Sequence, residues 1–411
     1  MLATPTLSAP PVAPFAPAAP ASSTASLADL MAKVEAGQRL GFDDGVRLFR
    51  SHDLLTIGQM ADLVNQRRNS GQYVYFNQNR HINPTNVCAF HCNFCSFARP
   101  REDSPGAYTW TPAEIVEHIR PDVHPRIAEF HIVGGLHTRL GFDYYEDILR
   151  ALKQAYPWVH LKAFTAVEID FFAQLTGLDH ETVLRRLMAA GLDSMPGGGA
   201  EIFHPDIRRQ ICPEKADADT WLAIHRTAHH LGLHTNATML YGHIEQYEHR
   251  VDHLLRLREL QDDTGGFQTF IPLRYHPDNN NLGRRLDWTT AHDTLKTMAV
   301  SRILLDNFPH IKAYWIMLTP PIAQLALHFG ADDIDGTVVE EKIYHDAGAT
   351  TEEHLDKFDL LRYIKAVGKT PVERDTLYNI IEIYDQPIEH YAPDSRKTRR
   401  GDVRITHIEL N

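Results

Sequence analysis

The sequence predicts an α/β protein whose main domain is a closed (β/α)8 barrel of the TIM type. Apolar strand-like segments alternate with amphipathic helical segments from HINPTNV to ADDIDG, and this alternation gives eight strands. Gly-rich or polar residues follow several of the strands, as in HIVGGLH and DSMPGGGAE. Such residues at the carboxyl ends of strands are typical of the face on which barrel sites are built. A doubly wound open sheet is the alternative that the same alternation allows.

The individual elements follow from the spacing of the apolar residues. LADLMAKVEAG and LLTIGQMADLVNQRRNSG have helical spacing, whereas YVYF and HINPTNV are strand-like. The later strands are predicted in IAEFHIVGG, VHLKAFTAVEI, LDSMPGGGAEI, LHTNATMLYGH, FQTFIPL, IKAYWIM and ADDIDG. Helices such as HETVLRRLMAAG, which ends at Gly191, lie between them.

Four regions are expected along the chain. Residues 1–26 are rich in Pro, Ala and Ser and lack the apolar core of a signal peptide, so they predict a disordered tail. Residues 27–72 form N-terminal helices, and residues 73–335 form the barrel. Residues 336–411 form C-terminal capping helices and a tail, with GTVVEEKIYHDAGA over the barrel mouth.

Composition limits the partners and the compartment. The 411 residues include 41 Lys and Arg against 53 Asp and Glu, a net charge of −12, which argues against nucleic acid or an anionic membrane as partner. No apolar run is long enough to cross a bilayer. Three of the four cysteines fall within eight positions, unlike a secreted disulfide framework, so a cytoplasmic protein is expected.

The strongest chemical signal is the run Cys88-Ala-Phe-His-Cys92-Asn-Phe-Cys95. A structural zinc site normally has four ligands, and only a local His91 is available as a fourth, so zinc is the weaker interpretation. Three thiolates on a [4Fe–4S] cluster leave one iron open for another ligand. Cys88, Cys92 and Cys95 are therefore the predicted cluster ligands, and the isolated Cys212 is expected to be structural.

This C-x3-C-x2-C loop after the first barrel strand resembles that of the radical S-adenosylmethionine (SAM) enzymes. The resemblance implies that the open iron binds SAM, whose reductive cleavage yields a 5′-deoxyadenosyl radical. It also implies SAM contacts at Phe94, Gly134, Gly135, Glu201, Gly242 and Glu245. Other interpretations are a loop residue that covers the cluster for Phe94 and a solvated loop acid for Glu201.

Longer segments are similar to the aminofutalosine synthase family over about residues 30–385, among them AFTAVEID, PGGGAEIF, RRQICPEKAD and EEKIYHDAGA. The resemblance implies that the 5′-deoxyadenosyl radical adds to 3-[(1-carboxyvinyl)oxy]benzoate. Aryl migration and decarboxylation then give 6-amino-6-deoxyfutalosine for menaquinone biosynthesis. An electron donor such as flavodoxin or ferredoxin is implied as well.

The implied substrate carries two carboxylates, which need cations or hydrogen-bond donors. Arg274 and His276 follow the sixth strand and are the candidates, although His276 could instead orient its loop. Glu168, just beyond the third strand, is expected to face SAM or the substrate, whereas Lys162 is expected on the barrel wall or in solvent. Two alternatives remain open: a dehypoxanthinyl futalosine cyclase or other hydrogen-abstracting relative, and a non-enzymatic iron–sulfur carrier or binding module.

Overall fold

The computed structural model describes residues 26–392, so the predicted tail at 1–26 lies outside the described residues apart from Ser26. The helices are α1 Ala28–Glu35, α2 Phe42–Arg50, α3 Leu54–Arg68, α4 Pro112–Ile119, α5 Phe142–Ala155, α6 Ala166–Thr176, α7 His180–Ala190, α8 Pro205–Ile211, α9 Ala218–His230, α10 Tyr247–Thr264, α11 Ala291–Leu304, α12 Trp315–Leu318, α13 Pro320–Ala326, α14 Ile343–Asp346 and α15 Lys357–Ala366. The strands are β1 Tyr73–Asn77, β2 Asn79–Ile82, β3 Glu129–Ile132, β4 His160–Ala163, β5 Ser194–Met195, β6 His234–Tyr241, β7 Phe267–Arg274, β8 His310–Ile311, β9 Asp333–Gly336, β10 Thr370–Arg374 and β11 Ile380–Ile383.

The predicted TIM-type barrel is confirmed. Strands β2 to β8 form a parallel sheet in sequence order. Strand β9 is the eighth strand, and the chain around it forms hydrogen bonds both to the segment after β8 and to the strands that begin the barrel. On one side the Ala313 amide donates to the Asp333 carbonyl at 2.7 Å, and on the other the Thr337 amide donates to the Asn77 carbonyl at 3.1 Å. Because β9 bonds on both sides, the structure excludes the doubly wound open sheet.

A second sheet, with the order β11-β10-β1-β9, extends from the start of β9. Strand β1 runs parallel to both β9 and β10, and the edge strand β11 pairs antiparallel with β10. The buried Arg374 on β10 donates two hydrogen bonds to Asp333, at 2.8 and 2.6 Å. This sheet therefore lies at the end of the barrel opposite the carboxyl ends of the strands. The sequence predicts helices in the C-terminal region, and strands β10 and β11 were not expected there.

The seventh barrel strand is shorter than IKAYWIM predicted. Strand β8 contains only His310–Ile311, and the chain turns into α12 at Trp315. The Trp315 side chain is buried and its indole N–H donates to the Gly336 carbonyl at 2.9 Å. The apolar run is thus explained by burial in the core rather than by a long strand.

The helices pack their apolar faces on the barrel and begin at polar caps. Helix α7, for example, begins after Asp179, which accepts a hydrogen bond from the Thr182 amide, and ends at Gly191 in a left-handed conformation. No helix within residues 26–392 combines the length and the apolar composition that crossing a membrane requires.

Candidate active site

One cavity of about 340 Å³ opens at the carboxyl ends of the barrel strands. Its wall contains all of the predicted site residues except Gly242 and Glu245, namely Cys88, Cys92, Phe94, Cys95, Gly134, Gly135, Glu168, Glu201, Arg274 and His276. The segment after β9 contributes Glu341, Ile343 and Tyr344 to the same wall. Residues that lie up to about 190 positions apart in the sequence therefore line the same cavity.

The cysteine loop follows β2 and is fixed by backbone hydrogen bonds. The Cys88 amide donates to the Arg99 carbonyl at 2.9 Å, and the Cys95 amide donates to the Cys92 carbonyl at 3.1 Å. Burial raises the pKa of the Cys92 thiol to about 12 and also raises that of Cys95. Thiolates at this position therefore need a strongly positive partner, which iron would supply.

The donor set fits an iron–sulfur cluster. All three cysteines are free thiols and line the same cavity. Within residues 26–392, no three His, Cys, Asp or Glu side chains form a group that could hold a single metal ion. A [4Fe–4S] cluster instead takes each thiolate on a different iron, so the donors can stand further apart. The side chain of His91, the possible fourth zinc ligand, is 69% exposed and contacts Glu214 at 3.3 Å.

The two glycines after β3 pack against this loop. A Cβ on Gly135 would lie 2.2 Å from the Val87 carbonyl oxygen, next to Cys88, whereas one on Gly134 would lie 3.1 Å from the Thr85 carbonyl oxygen. The Gly135 amide also donates to Thr85, at 2.8 Å. Close approach of two backbones thus requires glycine at position 135.

Glu168 lies between the glycine pair and the start of α6. Its carboxylate accepts hydrogen bonds from the Thr165 amide at 2.7 Å and from the Gly134 amide at 3.2 Å. The first contact is half of a capping box, which explains why a glutamate stands three residues into the helix. Burial raises the pKa of Glu168 to about 7.

Glu201 is buried rather than solvated and forms an ion pair that the sequence does not predict. The Lys215 ammonium donates to Glu201 at 2.6 Å and lies 5.1 Å from the centre of the Phe94 ring. Both charged residues line the cavity beside the cysteine loop. Lys215 belongs to RRQICPEKAD, a segment noted only for its resemblance to the family.

Gly242 and Glu245 lie outside the cavity wall, in the turn after β6. The Glu245 carboxylate accepts from the Gly242 amide at 2.6 Å and from Arg250 at 2.8 Å. Although burial opposes ionisation, His243 and Arg250 hold the pKa of Glu245 at about 2. The charge of Glu245 is therefore used between the turn and Arg250 of α10, and the structure does not place Gly242 or Glu245 in the cavity wall.

Arg274 and His276 stand where β7 ends. Arg274 lies over the Trp288 ring, and His276 meets the edges of Trp288 and Tyr344, with ring centres 4.3 and 4.8 Å away. The His276 Nδ1 atom accepts a hydrogen bond from the Asp278 amide at 3.3 Å. That bond supports the loop-orienting interpretation, while the position of the ring in the wall keeps the binding interpretation open.

Arg274 differs from the other cations in the cavity wall. Lys162 pairs with Glu129 at 2.7 Å, Lys215 with Glu201 at 2.6 Å, and Lys312 with Asp335 at 2.6 Å. Within the described chain Arg274 has no carboxylate within salt-bridge distance, and its buried Nε has no hydrogen-bond partner. The cavity thus offers one uncompensated guanidinium. Lys162 points into the barrel, not to solvent, because it must reach Glu129.

Comparison with known proteins gives consistent matches. Residues 82–257 match the radical SAM superfamily, and residues 264–387 match the CofH/MqnC C-terminal region. Aminodeoxyfutalosine synthases of Thermus thermophilus and Streptomyces coelicolor are each 48% identical to this chain, which covers 95% of either protein; the alignments span 86% and 87% of this chain. Cyclic dehypoxanthine futalosine synthase of Streptomyces coelicolor is 33% identical, over 87% of this chain and 90% of that protein.

The fold has counterparts among solved structures. The FeFe-hydrogenase maturase HydG from Carboxydothermus hydrogenoformans superposes with a TM-score of 0.67, covering 86% of this chain and 80% of that one. Since the two chains are only 16% identical, the likeness concerns the fold alone.

Proposed function

The chain belongs to the aminodeoxyfutalosine synthase family of radical SAM enzymes, and we propose that its substrate is 3-[(1-carboxyvinyl)oxy]benzoate. Membership makes it a transferase that forms a carbon–carbon bond with a [4Fe–4S] cluster and SAM. The product proposed is 6-amino-6-deoxyfutalosine. A cytoplasmic location and a flavodoxin or ferredoxin as electron donor belong to the same proposal.

The wall beside the cysteine loop suits the cluster and SAM. Cys88, Cys92 and Cys95 would hold the cluster, which supplies the electron that cleaves SAM into methionine and the 5′-deoxyadenosyl radical. Glu168 and Glu201 are buried carboxylates that can accept hydrogen bonds from SAM. The main-chain groups at Gly134 can be approached closely because no Cβ intervenes.

The proposed reaction balances without an added oxidant. A bond forms between C5′ of the radical and the vinyl CH₂, which leaves the unpaired electron beside the ether oxygen and the carboxylate. The aryl group then moves from oxygen to this carbon, and the C–carboxylate bond breaks to leave a ketone. The carboxylate departs as CO₂, or bicarbonate after hydration, with one electron. One electron is thus released for each electron consumed in cleaving SAM, so the whole reaction has no net change in electron number.

The uncompensated Arg274 is the observation that carries the choice of substrate. A half-buried guanidinium without a carboxylate in the cavity wall suits an anionic ligand, because an anion would pair with its charge and could accept a hydrogen bond from its buried Nε. We assign the enol-ether carboxylate to Arg274, since this residue ends β7 at the mouth of the barrel. The neutral His276 beside it can add a hydrogen bond, because burial lowers its pKa.

The deciding experiment follows the adenosyl carbons. The reconstituted enzyme is incubated without oxygen with a reductant, the substrate and SAM labelled in its adenosyl carbons. The expected label appears in a product that retains the aryl carboxylate, with one methionine released per adduct. If the substrate is consumed while the label leaves only as 5′-deoxyadenosine, a hydrogen-abstracting reaction such as that of the cyclase is the better assignment.

A further inference from the structure

A band of polar side chains crosses the barrel below the loop that would hold the cluster. His81 on β2, His131 on β3 and Lys162 on β4 are paired in register, so they stand at one height, and all three line the cavity. The imidazole rings of His81 and His131 stack with centres 4.7 Å apart and planes 26° apart. We call His81, His131 and Tyr314 the barrel floor.

Tyr314 extends this band from the far side. Its ring stacks on His81 with centres 6.5 Å apart, and the residue is 9% exposed. Within residues 26–392 its hydroxyl is buried and has no hydrogen-bond partner, although it lines the cavity. A buried hydroxyl without a hydrogen-bond partner is destabilising unless a ligand satisfies it. The floor therefore presents hydrogen-bonding capacity that the protein itself does not use.

The charges around the floor are already paired. Lys162 bonds to Glu129, Lys312 bonds to Asp335, and His131 approaches Glu129 only to 4.0 Å. Burial lowers the pKa values of His81 and His131, so both rings are neutral and each keeps one N–H to donate. Glu341, which also faces His81 and Tyr314, is paired with His345 at 3.0 Å. The floor is thus a set of neutral donors beside three ion pairs.

We propose that the barrel floor binds the ring carboxylate of the substrate and thereby selects a benzoate; this inference rests on the proposed function. Along β3 the residues from His131 to Gly134 rise by roughly 10 Å, which separates the floor from the wall assigned to SAM. A meta-substituted benzoate can span this depth, with its vinyl group upward and its ring carboxylate downward. Arg274, at the mouth, then holds the other carboxylate.

Selectivity follows from the unpaired donors. A ligand that ends in an uncharged ring would leave the Tyr314 hydroxyl and the imidazole N–H groups without partners. Sites built to bond a polar group reject the analogue that lacks it for this reason. The ring carboxylate, by contrast, can accept from Tyr314 and His131 at once.

The test compares the substrate with 2-phenoxyacrylate, which lacks only the ring carboxylate. The reconstituted wild type, Tyr314→Phe, His131→Asn and Arg274→Gln are assayed for KM and adduct formation with both compounds. Tyr144→Phe is the control, since its hydroxyl donates to the Trp110 carbonyl outside the cavity wall. We expect the wild type to have at least about a tenfold higher KM for 2-phenoxyacrylate. Tyr314→Phe and His131→Asn should raise KM about tenfold for the substrate only, and Arg274→Gln for both.

A second measurement needs no variant. Inhibition of the wild type by 3-hydroxybenzoate should be at least about tenfold stronger than inhibition by phenol. Equal inhibition, or floor variants that change KM equally for both compounds or not at all, would overturn the assignment. So would a result in which Arg274→Gln alone abolishes the discrimination. If the wild type forms no adduct from the full substrate, the proposed function itself fails, which differs from adduct formation without discrimination.

Discussion

The guanidinium carbon of Arg274 lies 4.9 Å from the centre of the Trp288 ring. The aromatic face holds the cation at the cavity mouth while leaving its donors free of any carboxylate in the described chain. A cation kept in place by a ring rather than by an acid is ready to bind an anion from solution. The first prediction follows from this arrangement.

Replacing Arg274 with Gln should lower kcat/KM for the dicarboxylate about 10- to 100-fold, since a charge-assisted hydrogen bond is lost. More of the cleaved SAM should end as 5′-deoxyadenosine, because the vinyl group is less well placed. Steady-state kinetics and the ratio of adduct to 5′-deoxyadenosine give the two readouts. Arg185→Gln, on the surface beside Glu181, is the control. An unchanged ratio and KM would remove Arg274 from the site.

Cluster loading should depend on three cysteines only. Alanine at position 88, 92 or 95 should abolish the iron and sulfide content after anaerobic reconstitution, since each thiolate binds its own iron. Cys212→Ala should retain the cluster, because Cys212 is buried and does not line the cavity. Loss of iron in Cys212→Ala together with retention in Cys95→Ala would refute the ligand assignment.

Gly135→Ala should impair cluster retention more than Gly134→Ala does. The added methyl group would meet the Val87 carbonyl at 2.2 Å and push the backbone that leads into Cys88. At Gly134 the nearest atom is 3.1 Å away, so a small shift suffices. Iron content and SAM affinity, measured on both variants, check this order. Equal behaviour of the two variants would show that packing against the loop is unimportant.

Lys215→Met should destabilise the protein by about 3–5 kcal/mol, because Glu201 is left buried without its partner. The double variant Lys215→Met/Glu201→Gln should recover part of this loss. Chemical denaturation measures both, and Arg47→Met, which breaks an exposed pair with Asp29, should cost about 1 kcal/mol or less. If the double variant were no more stable than Lys215→Met, the unpaired charge would not be the cause.

Glu168 should make stability fall as pH rises. Its pKa is raised to about 7 in the folded chain from 4.5, so the folded state holds a proton that the unfolded state has lost between these values. The free energy of unfolding should therefore decrease by up to ~1.4 kcal/mol per pH unit in this window. The difference between wild type and Glu168→Gln, from denaturation of cluster-free protein at several pH values, isolates the effect.

Glu114 provides a control with the opposite sign. It occupies the same capping-box position in α4, but hydrogen bonds from Thr111 lower its pKa and it is exposed. Its contribution should be present above pH 4.5 and be lost as the pH falls further. The free energy of unfolding of wild type minus that of Glu168→Gln should fall with pH. If this difference instead rises with pH, as expected for Glu114, then burial does not raise the pKa of Glu168.

The sequence by itself determined the parts of this protein that depend on neighbours along the chain. The spacing within one loop predicts Cys88, Cys92 and Cys95 as cluster ligands, and the βα alternation predicts the barrel because parallel strands need crossover helices. The Glu168 cap is also local, but the prediction of a strand over VHLKAFTAVEI was wrong there, because β4 ends at Ala163 and α6 begins at Ala166. These features reflect periodicity and short-range hydrogen bonding, which the order of residues fixes directly.

Only the tertiary structure decided which charges remain available in the cavity. The pairs Lys162–Glu129 and Lys312–Asp335 join neighbouring strands 33 and 23 positions apart, so nothing in the local sequence distinguishes these lysines from Arg274. The pairing of β10 with β1 is also a contact between distant segments. Barrel closure sets these distances, because side chains from separate strands reach one another only when their register and inward direction agree.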